Sequence, residues 1–451
     1  MDFGFEGFES ADFDVELEDV EVKRIKRFER LWKIGRGGSI CYTRVFDGIV
    51  YFGSADKNFY AIDVETGKEL WRFRTGGVIM GWGDSAGDSI FFTSFDQYCY
   101  AVDRRTGKEL WRFRANGEMF EGPVYGEGSI VIGTKGGYVH SINAKTGKEI
   151  WTFKTGDDIL SGATIYEGNV YFGSCDSNYY CISLENGKEV WRFKTGDLIH
   201  SDMKSPVVDG KIFFGSFDSH LYCLDVKTGK EIWRFKTGQY GNSEPPLYHN
   251  GVLYQGSRDG ILFAISLEGK ELWRFKTGGL LTMPIEARGR LYFGSEDGFF
   301  RCLDLKGNEM WRFNVQGLMW DVPSYANGRI IFGTWSCHVH SLDALSGEED
   351  WRFTTSDASP SSVQPPHESF KMEIKKMAQT DMTAGESKYR GKKGETVSLS
   401  NYHIANDYST TSEYKQKSDY DTSFVMFEGV LKTEELPWIS VSKDSNQRIS
   451  T

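Results

Sequence analysis

Nine near-identical W-x-F words recur along the chain at Trp32, Trp71, Trp111, Trp151, Trp191, Trp233, Trp273, Trp311 and Trp351, with Ile34 standing for Phe in the first. The eight intervals between them are 39, 40, 40, 40, 42, 40, 38 and 40 residues. A period of this size means one supersecondary unit repeated, and such a unit buries its apolar faces only by stacking on copies of itself. Repetition therefore accounts for the scaffold, and function is to be sought where the copies differ.

The fourth copy, residues 162–196, shows how a unit is built. "NVYFGS" is β-branched, aromatic and alternating, so it reads as a strand. "CDSN" is turn chemistry, because Asp and Asn side chains bond their own backbone. "YYCISL" is a second strand, and "ENGKE" a hairpin connection in which Gly187 supplies positive φ. "VWRF" is a third strand, with Trp191 and Phe193 on one face and Arg192 on the other. A fourth strand is expected in the variable stretch before "YEG". Each unit is then a four-stranded antiparallel meander, and eight of them set radially bury both faces and limit exposed edges. The predicted fold is all-β: an eight-bladed β-propeller over residues 31–355, with an N-terminal segment 1–30 and a C-terminal extension 356–451. The ring is expected to close where residues 32 and 351 meet.

Composition narrows the function. No stretch of about 18 apolar residues exists, so no membrane span is predicted. A net charge of −11 without a basic stripe argues against a nucleic-acid footprint. Seven cysteines, an odd count without framework spacing, read as reduced thiols used as small hydrophobes. No C-x-x-C pair points to structural zinc. The opening MDFGFEGFES carries acids where a signal peptide carries lysines and then an apolar run, so a cytoplasmic location is expected.

The word A-I-D-x-x-T-G-K-E-x-W-x-F, present as AIDVETGKELWRF at residues 61–73, resembles the tryptophan-docking repeat of the PQQ-like, quinoprotein-type eight-bladed propellers. It is most similar to the BamB-like, non-catalytic members. For catalytic members the resemblance implies PQQ and calcium, held by a vicinal cysteine pair, a Trp floor and acidic and amide ligands. This chain has no adjacent cysteines and no long insertions between units, so no cofactor and no catalysis are expected. For BamB-like members the resemblance implies a part in the assembly of outer-membrane proteins.

The stretches after each "TG" are read as the inner strands, and their outliers as channel-lining groups. Trp82, Glu121, Asp202, Trp320 and Asp321 are the candidates, with Met119, His200, Asn242 and Glu244 beside them. Two readings stand: a small-ligand site, or a solvated lining. Arg72, Arg112, Arg192, Arg234, Arg274, Arg312 and Arg352 are expected to ring the rim, each paired locally with the Glu of its own "GKE" or "GxE" word.

The ends carry the partner-binding candidates. Residues 1–22 hold nine acids, no base, and Phe3, Phe5, Phe8 and Phe13. So little apolar content leaves the cost of ordering unmet, as in segments that fold onto a partner. In the extension, Tyr402, Tyr408, Tyr414 and Tyr420 share an even spacing that places them on one face of an extended strand. Trp438 offers an apolar anchor, and Trp335 is a large aromatic in a turn where other copies carry smaller groups. The expected function is a non-catalytic intracellular protein-interaction scaffold, monomeric or part of a complex. The alternative is a quinoprotein-like dehydrogenase, or a small-ligand or carbohydrate-binding propeller, using the channel.

Overall fold

Proline marks the start of five of the eight innermost strands. Pro123, Pro206, Pro246, Pro284 and Pro323 cannot donate to a ladder, and the strands Val124–Gly126, Val207–Val208, Leu247–His249, Ile285–Ala287 and Ser324–Ala326 each start at the next residue. In the computed structural model these belong to eight four-stranded antiparallel sheets, each made of four consecutive strands. The described residues are 40–355, apart from 202, 203, 243, 316–318 and 320.

The fourth sheet matches its sequence reading closely. Its strands are Thr164–Tyr166, Asn169–Gly173, Asn178–Ser183 and Glu189–Lys194. The predicted inner strand exists, but it is only three residues long and extends into the "YEG" word. The first strands of neighbouring sheets touch: Asp84–Ala86 meets Val124–Gly126, and Ile40–Phe46 meets Ser324–Ala326. First strands therefore surround the axis, and the W-x-F strands form the outer edge of each blade.

Blades are joined by their tryptophans. The Trp71 indole N–H donates to the Arg104 carbonyl of the next blade at 3.0 Å, and Trp111 donates to Ala144 at 3.0 Å. Gly107 lies under the Trp71 ring; a Cβ there would sit 2.7 Å from it, and φ is +70°. The glycine of "TGK" is thus required twice, for its left-handed backbone and as the floor of the indole pocket. A second clasp uses the turn aspartates: Asp176 accepts from Gly156 N of the preceding blade at 2.9 Å and from its own blade's Tyr180 hydroxyl at 2.7 Å.

Each outer strand carries one irregularity. Cys181 faces Trp191 while Ile182 faces Glu189, so Val190 is an extra, unpaired residue. The same shift occurs at Leu70, Leu110, Ile150, Ile232, Leu272, Met310 and Asp350. A β-bulge on an edge strand turns its extra residue outward.

Candidate functional site

Three surfaces differ from copy to copy or stand open: the axis, the turn face around it, and the rim. The axis is the surface the sequence reading favoured for a ligand. It is built differently from that expectation.

Trp82 and Glu121 lie in the connections that lead into the inner strands, not on those strands, and both are buried. Trp82 is fully enclosed. Gly122 lies against its ring, Tyr42 meets it edge-on at 6.0 Å, and its N–H donates to the Pro123 carbonyl at 3.1 Å. Asp321 is also buried. It accepts from Thr43 N at 3.2 Å, from the Thr43 hydroxyl at 3.1 Å and from Gly333 N. Burial raises the Asp321 carboxyl well above the usual range, against the pull of those bonds and of Arg44. Met119, His200, Asn242 and Glu244 are buried too. His200 meets the Phe217 ring edge-on, and burial, aided by Arg258, lowers its pKa to about 3, so it is neutral. The predicted wet channel lining is therefore a packed one. The two other channel candidates, Asp202 and Trp320, lie outside the described residues.

The strongest axial feature was not among the predicted residues. Lys204 Nζ, from the fifth blade, lies 3.2 Å from Asp84 Oδ2 in the second. Blades three steps apart in a ring of eight share no boundary, so this ion pair crosses the central opening. Asp84 also accepts from Tyr125 N at 2.9 Å. Beside it, Arg44 is fully buried; desolvation lowers its pKa to about 10, against the opposing pull of Asp84 and Asp321. The fifth unit is the one preceded by the 42-residue interval, and its longer connection carries Lys204. The irregular spacing was the available signal.

These axial groups do not fit PQQ and calcium. The Asp84 and Asp321 oxygens are held by Lys204, Tyr125, Thr43 and Gly333, and Trp82 is covered by Gly122 where a floor would need a free face. Among the described residues no group of three or more His, Cys, Asp and Glu side chains converges as metal ligands.

The turn face is more varied. Phe95 meets Phe120 edge-on at 4.7 Å, and Arg258 lies over the Phe217 ring at 4.7 Å. Trp335 is partly exposed in a turn of the eighth blade, and Tyr240 is exposed. The rim is regular instead. Arg72 bonds Glu69 at 2.7 Å, and Arg192, Arg234 and Arg352 pair likewise with Glu189, Glu231 and Glu349, as the sequence predicts. Next to the strand-opening glutamates stand Leu70, Leu110, Ile150, Val190, Ile232, Leu272 and Met310, each 47–54% exposed. The remaining partner-binding candidates, Phe3, Phe5, Phe8, Tyr402, Tyr408, Tyr414, Tyr420 and Trp438, lie outside the described residues.

A family model described as outer membrane protein assembly factor BamB matches residues 21–118, 95–234, 176–279 and 217–362. The chain belongs to the BamB family of repeat propellers. The crystal structure of BamB from Moraxella catarrhalis is similar to this BamB-family chain, with a TM-score of 0.57 and 17% identity over 67% of this chain and 93% of that one. A computationally designed protein, Ika8, gives a TM-score of 0.61 at 15% identity over 67% and 95%. At such identities the likeness concerns the fold. No curated protein matches the chain. Among the described residues no helix is long and apolar enough to cross a membrane.

Proposed function

We propose that this BamB-family propeller is a non-catalytic protein-interaction scaffold that works inside the cell and holds protein partners along its outer circumference. The observation that carries this reading is the row of half-exposed aliphatic residues, Leu70 through Met310, repeated at the bulge of seven outer strands. Surface hydrophobes scattered singly are ordinary; here one recurs at the same bulge of seven outer strands, so the rim carries a regular series of apolar contact points. The axis argues the same way. Asp84 and Lys204 are spent on each other, and Asp321 on Thr43 and the Gly333 backbone. Among the described side chains, the six free cysteines suit a reducing compartment.

The test is capture from native lysate by the full-length chain and by the triple variant Leu110→Glu, Ile232→Glu, Leu272→Glu, read by mass spectrometry. The reading expects a discrete set of proteins kept by the native chain and lost by the variant. Equal capture by both, or by neither, contradicts it. Reduction of a dye by an alcohol on adding PQQ and calcium to the full chain would contradict the non-catalytic part.

A further inference from the structure

The third strand of the eighth blade, His338–Asp343, opens with two histidines one residue apart. Alternate residues of a strand point to the same face. His338 and His340 therefore lie side by side, with ring centres 5.9 Å apart and ring planes at 81°. The eighth blade alone has histidine at both positions. The third blade has Tyr138 and His140 there, and the fifth has His220 and Tyr222.

Each ring is anchored through its Nδ1. His338 Nδ1 lies 2.9 Å from Thr354 Oγ1, and His340 Nδ1 lies 2.7 Å from Glu349 Oε1, both on the neighbouring strand Glu349–Thr354. A carboxylate only accepts, so Nδ1 of His340 carries the proton and Nε2 carries the lone pair. His340 is 1% exposed, and its Nε2 is buried with no hydrogen-bond partner among the described residues. In the fourth blade the tyrosine at this place reaches the turn acid Asp176. In the eighth the turn residue is Ser336, whose hydroxyl lies 2.8 Å from that of Thr334 instead. Metal-binding histidines are oriented in this way, with one ring nitrogen held by a carboxylate or another polar group and the second left for the ion. Burial lowers the pKa of His340 to about 4 and that of His338 below its ordinary value. Both rings are then neutral at pH 7, the form that ligates. Arg352 faces His340 across the ladder, and its charge is paired with Glu349 at 2.9 Å.

We infer that His338 and His340 bind one divalent late first-row transition-metal ion through their Nε2 atoms, with water completing its coordination. Imidazole suits copper, nickel and zinc, and the general order of affinity peaks at copper(II), so copper(II) is the ion held most tightly. An imidazole nitrogen stands about 2.0–2.1 Å from such an ion, which puts the ion roughly 3 Å from each ring centre, so rings about 6 Å apart can share it. The way in runs past His338, which is partly exposed, while His340 is the fixed, buried ligand. The site lies away from the axis, and it stands whether or not a protein docks on the rim.

The test is titration of the full-length chain with copper(II) chloride, followed by calorimetry, with an electron paramagnetic resonance spectrum of the one-to-one sample. The inference expects an ion with two imidazole nitrogens in its coordination and a urea midpoint that rises on loading. His338→Gln should weaken binding at least tenfold, and the urea midpoint of the metal-free variant checks that it still folds. Thr354→Val, which releases the His338 ring, should weaken binding about tenfold. Nickel(II) and zinc(II) should bind more weakly and be displaced by copper(II). Equal copper affinity in the native and His338→Gln chains overturns the inference and places the ion on other groups. A spectrum with fewer than two nitrogens, or no binding by the native chain, overturns it as well.

Discussion

The indole N–H of Trp351 donates to the carbonyl of Val64 across 3.1 Å, joining the last outer strand to the first blade. Gly67 lies beneath that indole, 2.7 Å from the ring if it carried a Cβ, with φ +65°. The ring therefore closes by the contact that joins every other pair of blades, between residues 287 apart in sequence.

Trp351→Phe should remove that bond and little else, lowering stability by about 1 kcal/mol. Trp351→Ala should remove the docked ring as well and cost about 3 kcal/mol. Urea midpoints at fixed pH measure both. Equal losses would mean that the hydrogen bond, not the packing, closes the ring.

Gly67→Ala should be destabilising for two separate reasons, the left-handed backbone and the collision with Trp351. Its cost should exceed that of Gly87→Ala, where φ is +56° but nothing lies within 4 Å of the added Cβ. Left-handed backbone alone costs about 1–2 kcal/mol, so the difference between the two variants reports the indole contact. Thermal melts of both read it.

His340 is buried beside Glu349 at 2.7 Å, and burial lowers its pKa to about 4. The unfolded chain, with an ordinary histidine value near 6.5, then binds more protons than the folded one between those values. Stability is complete above about pH 6.5 and is lost as pH falls toward 4, by about 3 kcal/mol at most. In four other blades this position is a tyrosine bonded to a turn aspartate, as Tyr180 is to Asp176, whereas the eighth blade has Ser336 in that turn. The double variant Ser336→Asp, His340→Tyr should rebuild that pair and flatten the loss between pH 6.5 and 5. Denaturant midpoints at the two pH values test it; an unchanged slope would assign the acid sensitivity elsewhere.

Lys204→Met should leave Asp84 buried without its cross-axis cation and cost about 1–3 kcal/mol. Asp84→Asn with Lys204→Met should cost less than the sum of the single changes if the pair is coupled. Additive losses would show that the two groups act independently.

Much of the fold was readable because it is local. The 40-residue period, the "TGKE" hairpins and the Arg–Glu pairs each depend on residues a few positions apart. The axis was not readable in the same way. Trp82, Glu121 and Asp321 look like solvent-facing outliers in sequence, yet Trp82 is met by Tyr42 from the preceding blade, and Thr43 is brought to Asp321 by ring closure. Lys204 was marked only by the longer interval. The outward turn of Leu70 and its counterparts was missed because simple alternation does not reveal a bulge.

The most direct test of the rim as the recognition surface is hydroxyl-radical footprinting of the full-length chain, free and bound to a captured partner. Side-chain oxidation of Leu110, Ile232, Leu272 and Met310 should fall on binding, while Phe95, Phe217, Tyr240 and Trp335 on the turn face keep their free reactivity. Protection of the turn-face aromatics with the rim unchanged would contradict the account and move recognition to the mouth of the ring.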